Sequence, residues 1–456
     1  MSQHLATLLV KQAEIIFVTI AILGGGLTGV TLGRLLKERG EDIIILERDR
    51  QIGGLCRSKT EDGFTFDIGG SHIIFSRDKE VLEFMRDVLE ENKGERNRNT
   101  KIFFKDRYVK YPFENGLYQL PPEDCFFCIH EFIRNLIAVE RGEIEEPENF
   151  RDWIYYTLGK GIAESYMVPY NEKIWNYPAE EMSMHWVDGR IPRPPVEDII
   201  KSAIGIETEG YTHQAVFSYP VTGGIEAMVH AIAEPVKENI RTFFEVKSIK
   251  KTDEGFIISN GTEEIICESV ISTIPVQALV RCLENVPAEV IKAVESLKYN
   301  SIACVGIGVE GEMNDISWLY IPQKEIGRFN RISFPSNYST EVAPAGCSSV
   351  LAEVTFNEGD EVSNMTDDEI VEHCVDGLIN MGIISSRDKV IYTTVERFEY
   401  AYVVYDLDYQ ENIRTVTDYF SGSGIDLVGR FSEFEYINMD GCIRHVFDYV
   451  KNKKTD

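Results

Sequence analysis

Positive charge is scarce in this chain. Against 75 acidic residues stand 46 lysines and arginines, a formal net charge of −29 over 456 residues. That balance argues against nucleic acid or an anionic membrane surface as a partner. It leaves room for a small anionic substrate, because a few buried arginines set a local field. Long hydrophobic runs are missing too. The apolar run Ile15–Leu23 has nine residues, well short of the roughly 18 that cross a bilayer. It runs directly into a glycine turn, so it reads as a strand and not as a signal peptide. No transmembrane segment is expected elsewhere, and there is no internal repeat or low-complexity tract. Regular cysteine spacing is absent as well. The nine cysteines are an odd, scattered set, which points to reduced thiols and a cytoplasmic home. Cys125 and Cys128 form one C-x-x-C without a second pair. They lie in an apolar helical pattern with Phe126, Phe127, Ile129 and Phe132, which favours core packing over a redox or metal site.

What is present is glycine in an informative place. Gly24, Gly26 and Gly29 fit G-x-G-x-x-G between a continuous apolar run, Val18 to Leu23, and a helical pattern through Leu27, Val30 and Leu35 that Gly40 should end. This is the dinucleotide-binding arrangement, with a pyrophosphate at the helix N-terminus. The next apolar strand, Ile43 to Leu46, ends at Glu47, 18 residues past Gly29, where an acid is expected to hold a ribose diol. At 43% hydrophobic and 11% aromatic, the chain can build a large core and two or more domains.

Two further glycine turns follow. One is Gly53-Gly54-Leu55. The other, Phe66-Asp67-Ile68-Gly69-Gly70-Ser71-His72, ends a short strand. With the first turn they resemble flavoproteins of the glutathione-reductase/amine-oxidase superfamily. The resemblance implies non-covalent FAD in an α/β fold: a Rossmann-like FAD-binding domain of GR2 type with inserted α-helical and mixed-sheet substrate domains. It implies that a strand at 241–250, centred on Val246, contacts the adenine. It also implies that the strand ending at Thr273 runs beneath the cofactor. Gly429 and the stretch Asn438, Met439, Asp440 should then deliver a last helix, from Cys442, toward the flavin, with Asp440 as its N-cap. Arg48 should lie beside Glu47 on the cofactor. Residues 256–258 and 264–266 read as a hairpin turned at Asn260-Gly261. Two helices are expected at 123–141 and 150–167, the second stopped at Pro169, and a linker at 191–195. The expected partition is an extension at 1–17, an FAD domain from 18–76, 220–300 and 396–456, a mainly helical domain at 77–219, and a sheet-containing domain at 301–395.

A narrower resemblance rests on five blocks: residues 72–76, Tyr111-Pro112-Phe113, residues 166–175, residues 186–190, and Arg331 with Ser336 to Ser339. The chain is similar there to UDP-galactopyranose mutases of the eukaryotic type, and more loosely to protoporphyrinogen-oxidase-like proteins. The resemblance implies interconversion of UDP-galactopyranose and UDP-galactofuranose, or of a related nucleotide sugar, through a reduced-flavin N5–sugar adduct, for glycan synthesis. An external electron donor such as NAD(P)H or a reductase is then required. The implied roles are as follows. Arg190 and Arg331 hold the substrate's pyrophosphate with Tyr402 and Tyr436, although Phe434 occupies the stricter match to the second tyrosine. Tyr166 stacks on uracil beside Asn171 and Tyr111. Trp175 lines the sugar site, and His72 faces the flavin.

Two departures stand out. Glu114 replaces a glutamine that reads the uracil edge, and a carboxylate donates no hydrogen bond unless protonated. Ser71 is an extra residue before His72. Structural alternatives also exist. Arg190 or Arg331 could serve in surface ion pairs, Tyr166 and Trp175 as core aromatics, and His72 as packing under its turn. Two other functions share the superfamily motifs: a flavin oxidoreductase of the amine oxidase or protoporphyrinogen oxidase type, and a non-catalytic flavin-binding partner in glycan synthesis.

Overall fold

The computed structural model describes residues 15–187, 190–191, 193–208 and 216–453. Of the expected extension 1–17, residues 1–14 lie outside the described residues, and the rest already belong to the first strand, Ile15–Leu23. Asp188, Gly189 and Pro192, within the quoted 186–190 block and the 191–195 linker, also lie outside them.

Ile15–Leu23 is central in a seven-stranded sheet, paired in parallel with Ile43–Leu46 on one side and Glu264–Ser272 on the other. Its side chains alternate between two cores. Ala21 and Leu23 go to one face with Ile44 and Leu46; Ile20 and Ile22 go to the other with Ile43 and Ile45. A strand covered on both faces needs an unbroken apolar run, which is what its sequence supplies. The second face is covered by helix Leu27–Glu38 and by the last helix, Met439–Asn452. The first half of Glu264–Ser272 pairs with the antiparallel strand Gly255–Ser259, and its last three residues take Ile425–Leu427 in parallel. One sheet therefore draws on three distant stretches of chain. This is an α/β fold with a Rossmann-like core and added helical and mixed-sheet parts.

A second seven-stranded sheet runs in the order Val390–Val404, Lys298–Glu310, Cys347–Phe356, Arg331–Ser333, Trp318–Tyr320, Thr100–Phe104, Arg107–Lys110. Its strands pass both expected boundaries, since residues 100–110 come from the stretch expected to be mainly helical and Val390–Val404 continues beyond 395. Helix Asp367–Asn380 covers one face, with Ile370, Cys374 and Leu378 buried against it. Helices Pro122–Glu140 and Phe150–Ile162 pack together so closely that a Cβ on Gly161 would sit 2.5 Å from the Cα of Cys128. Cys128 is fully buried in that core.

Three local expectations are corrected. Residues 241–250 are not one strand: the chain leaves the sheet after Ile240–Arg241 and re-enters another edge at Ser248–Thr252, with Val246 between them. The detour is held by Phe244 N–H on Glu47 O at 2.8 Å, with Phe243 at φ +57°. Pro169 does not stop its helix. A wide π-type turn at Ala163–Met167 precedes it, so Pro169 enters the first turn of Val168–Trp175, where its missing N–H costs least. The last helix starts at Met439, three residues earlier than expected, with Asn438 at the N-cap. Asp440 lies inside the first turn, where its carboxylate accepts a 2.8 Å bond from the Ser76 hydroxyl.

Candidate functional site

A cavity of about 1600 Å³ opens where Ile15–Leu23 ends. One small ligand fills roughly 300–1,000 Å³, so there is space for a dinucleotide and a second ligand. Eleven basic and eight acidic side chains line it among the described residues. The balance is the reverse of the whole chain's 46 to 75, so the cavity is a local field for anions.

At one end lie Gly24, Gly26, Leu27, Thr28, Gly54 and Leu55. Helix Leu27–Glu38 begins there with no side-chain cap, and so does Met439–Asn452 behind Asn438. Two sets of free backbone N–H groups and two positive dipole ends thus face the same space. Glu47 lines this end with Arg48. The Glu47 carboxylate accepts Gly25 N–H at 2.7 Å and Asp49 N–H at 2.8 Å, which fixes its orientation. Burial raises its pKa and those two donors oppose the rise. Val246, Thr273, Ser71, Asn438, Met439 and Asp440 complete the wall. The Thr273 hydroxyl bonds Leu23 O at 2.8 Å and ties two strand ends together.

The other end is aromatic and cationic. Arg331 forms a two-pronged ion pair with Glu353, at 2.8 Å from Nε and 2.7 Å from Nη2. Glu353 is fully buried and also accepts Ser71 N–H at 3.0 Å, so it links the arginine to the turn that carries His72. The Nη1 edge of Arg331 makes no hydrogen bond among the described residues. Arg190, exposed at the rim, lies 4.4 Å over the Tyr436 ring and has no ion pair among the described residues. Trp175, Tyr402 and Tyr436 form a triangle of rings with centroids 5.0–5.9 Å apart. Phe434 is buried outside the cavity, so the tyrosine that reaches it is Tyr436. Asn171 bonds Met167 O through Nδ2 at 2.7 Å and accepts Trp175 Nε1–H at 3.3 Å, which orients the tryptophan.

Tyr166 sits in a ring stack with Phe113 at 5.0 Å and Tyr170 at 5.2 Å. Its faces are largely taken up by those rings, so Tyr320, with its ring centroid 5.0 Å from that of Tyr111 and 5.1 Å from that of Tyr170, offers the aromatic surface to a ligand together with those two. His72 is held neutral, pushed down to about 4 by burial and then by the Arg331 charge. Its Nδ1 is buried without a partner. Glu114 is 7% exposed and is pushed up to about 7 by burial.

The profile of the flavin-containing amine oxidoreductase family matches residues 27–418. The chain belongs to that family. Among solved structures, a reduced UDP-galactopyranose mutase superposes with a TM-score of 0.87 and 26% identity over 96% of each chain. A putrescine oxidase with putrescine bound has a TM-score of 0.67 at 15% identity, over 96% of this chain and 99% of that one, a likeness of fold alone. In sequence, the UDP-galactopyranose mutase of Mycoplasma pneumoniae is 20% identical over 218 residues, 47% of this chain. That match spans about half of the relative's length, 52%.

A member of this flavoprotein family must cradle FAD, and Gly26 shows that the fit is there. A Cβ on Gly26 would meet no protein atom within 4 Å. The glycine therefore leaves space for a group other than protein, beside free helix N–H groups that suit a pyrophosphate. Gly29, Gly69, Gly70 and Gly429, expected at the cofactor, do not line the cavity. Gly29, Gly69 and Gly429 hold its walls together: a Cβ on Gly29 would fall 1.9 Å from Gly24 O, one on Gly69 2.2 Å from Leu55 O, and one on Gly429 2.6 Å from the Thr28 hydroxyl.

Three participants escaped the sequence reading. Arg430 contacts both Tyr402 and Tyr436 rings, at 5.5 and 4.9 Å, donates to the Ile437 and Ala401 carbonyls, and keeps a buried Nε without a partner. Glu353 and Tyr170 are the others. A lone acid inside the apolar run Cys347–Phe356 was the available signal for Glu353, since a buried charge demands a partner.

Proposed function

We propose that this chain is an FAD-dependent mutase of nucleotide sugars, interconverting UDP-galactopyranose and UDP-galactofuranose or a close relative, for glycan synthesis. The observation that carries the reading is the grouping of Arg190, Arg430 and Arg331 around the Tyr402–Tyr436 pair, in one cavity with the flavin cradle. Guanidinium groups and phenol hydroxyls are the donors a diphosphate needs. A site for an amine, itself a cation, would not be lined that way.

Bound in reduced form, the flavin supplies an electron-rich nitrogen to the anomeric carbon with no net redox change. The protein's own part is to bind and orient. Arg190 and Nη1 of Arg331 hold the diphosphate, Trp175 and its neighbours wall the sugar off from water, and neutral His72 offers an uncharged polar edge. An external donor such as NAD(P)H keeps the cofactor reduced. The likeness to the reduced mutase structure supports this reading. The family's redox chemistry supports a second one, a flavin oxidoreductase.

Calorimetric titration of the dithionite-reduced protein with UDP separates them. The mutase reading expects binding, weakened about tenfold or more in Arg190→Ala, as loss of a charge-assisted bond predicts. No binding, or an unchanged Arg190→Ala, contradicts it. Substrate-dependent bleaching of oxidised flavin by an amine would establish the alternative.

A further inference from the structure

Asn300 is a polar side chain in an apolar place. It opens the buried run of strand Lys298–Glu310 and is 1% exposed. A primary amide carries two N–H donors and a C=O acceptor, and burying it is costly unless they are paired. Here both donors and the acceptor are used. Nδ2 donates to Ile174 O and to Trp175 O, each at 2.9 Å, and Oδ1 accepts Tyr402 N–H at 3.2 Å.

On one side the partner is a helix end. Ile174 and Trp175 close the helix Val168–Trp175, and the last carbonyls of a helix find no partner inside it. The second sheet supplies the partners. Thr355 Oγ1 donates to Lys173 O at 2.8 Å, Asn300 takes the next two carbonyls, and Asn357 Nδ2 takes Asn176 O at 2.9 Å. Of these three side chains, Asn300 alone also bonds the strand of Tyr402, among the described residues.

On the other side the strand pairing slips. Asn300 stands opposite Tyr402 but Ile302 opposite Phe398, so Val390–Val404 spends two extra residues there. A bulge of this kind takes backbone groups out of the ladder and re-aims side chains. Asn300 takes the N–H of Tyr402, Ser301 Oγ donates to Glu399 O at 2.8 Å, and Ala401 O accepts from Arg430 Nη2 at 2.6 Å. One amide thus joins the backbone of Trp175 to that of Tyr402, whose rings stand 5.9 Å apart in the cavity. Asn300 itself does not line that cavity.

Resting on the nucleotide-sugar reading, we propose that Asn300 is a positioning residue. It fixes the spacing of Trp175, the sugar wall, and Tyr402, a diphosphate donor, so that both meet one substrate at once. Leucine at this position keeps the shape and loses all three bonds. Aspartate keeps an acceptor for Tyr402 N–H and turns an oxygen toward two carbonyls.

The test uses the FAD-loaded, dithionite-reduced protein and UDP-galactose. Dissociation constants are measured for the wild type, Asn300→Leu, Tyr402→Phe and the double variant, with the flavin spectrum and a thermal melt as checks that each is folded. Asn300→Leu should weaken binding about tenfold. With Tyr402→Phe already in place it should weaken binding clearly less, because part of what it displaces is gone. An asparagine that served stability alone would act independently of Tyr402 in the folded protein. Should Asn300→Leu lose its flavin spectrum, Asn300→Asp takes its place in the same cycle with the same expectations. Unchanged affinity in the Asn300 variant, or equal weakening with tyrosine and with phenylalanine at 402, overturns this proposal and leaves the nucleotide-sugar reading standing. Loss of the flavin spectrum in both Asn300 variants makes the amide a requirement of the fold and overturns it too. Absence of binding by the wild type overturns both readings.

Discussion

Arg331 and Glu353 face each other across neighbouring strands, the arginine's side chain 23% exposed and the acid's fully buried. Breaking a buried pair leaves the survivor's charge uncompensated, at a cost of about 3 kcal/mol or more, somewhat less where the survivor is the partly exposed arginine. Arg331→Met and Glu353→Met are each expected to destabilise the protein in urea melts. The double variant should be destabilised by clearly less than the sum, because it removes both charges. Additive effects would mean that the two do not act as a unit. His72 gives a second prediction at this scale. Its folded pKa is depressed to about 4 from an ordinary 6.5. Between those values the unfolded chain binds a proton that the folded chain does not. Folding stability should therefore fall as pH drops from 6.5 to 4. In His72→Gln that part of the slope should be missing. Parallel pH profiles of stability for the two proteins would contradict a histidine held neutral in the fold.

The elements divide into those that local sequence determines and those that it does not. The strand–turn–helix at Ile15–Leu23 and Leu27–Glu38, the hairpin around Asn260, and the helix Pro122–Glu140 follow from short-range patterning, and the sequence alone places them. Residues 241–250 have strand-like composition, yet backbone bonds to the Glu47 loop pull their middle off the sheet. Pro169 looked like a stop because the π-type turn that accommodates it has no sequence signature. At the cavity the flavin cradle was legible as glycines and one acid. The link from Arg331 through Glu353 to Ser71 was not, because its members lie 22 and 282 residues apart and meet only across the sheet. The glycines within one motif differ in their work, and this is testable. Gly26→Ala adds a methyl to empty space, so the cofactor-free protein should melt as the wild type does while FAD affinity falls. Gly29→Ala drives a methyl into Gly24 O, so stability itself should drop by about 1–3 kcal/mol, in thermal melts with or without cofactor. Equal melting of the two variants would remove the distinction.

The whole molecule combines a strongly acidic surface with a cationic cavity. Attraction of an anionic ligand, such as the proposed nucleotide sugar, is then local and short-ranged, set against a repulsive far field. Salt screens the repulsive far field more than the buried guanidinium contacts. Association rates for UDP-galactose should therefore rise, or hold level, between about 20 and 200 mM salt, where a cationic surface would slow them; stopped-flow flavin fluorescence reads this directly. The central claim is that the flavin serves a sugar rearrangement and ends the cycle in the oxidation state in which it began. Its most direct test is anaerobic incubation of the protein with UDP-galactopyranose, once with oxidised and once with dithionite-reduced flavin, followed by chromatography of the nucleotide sugar and the flavin spectrum. The furanose isomer is expected with the reduced protein alone, and the flavin should still be reduced at the end. Bleaching of the oxidised flavin by the substrate, or no isomer from the reduced protein, would contradict it.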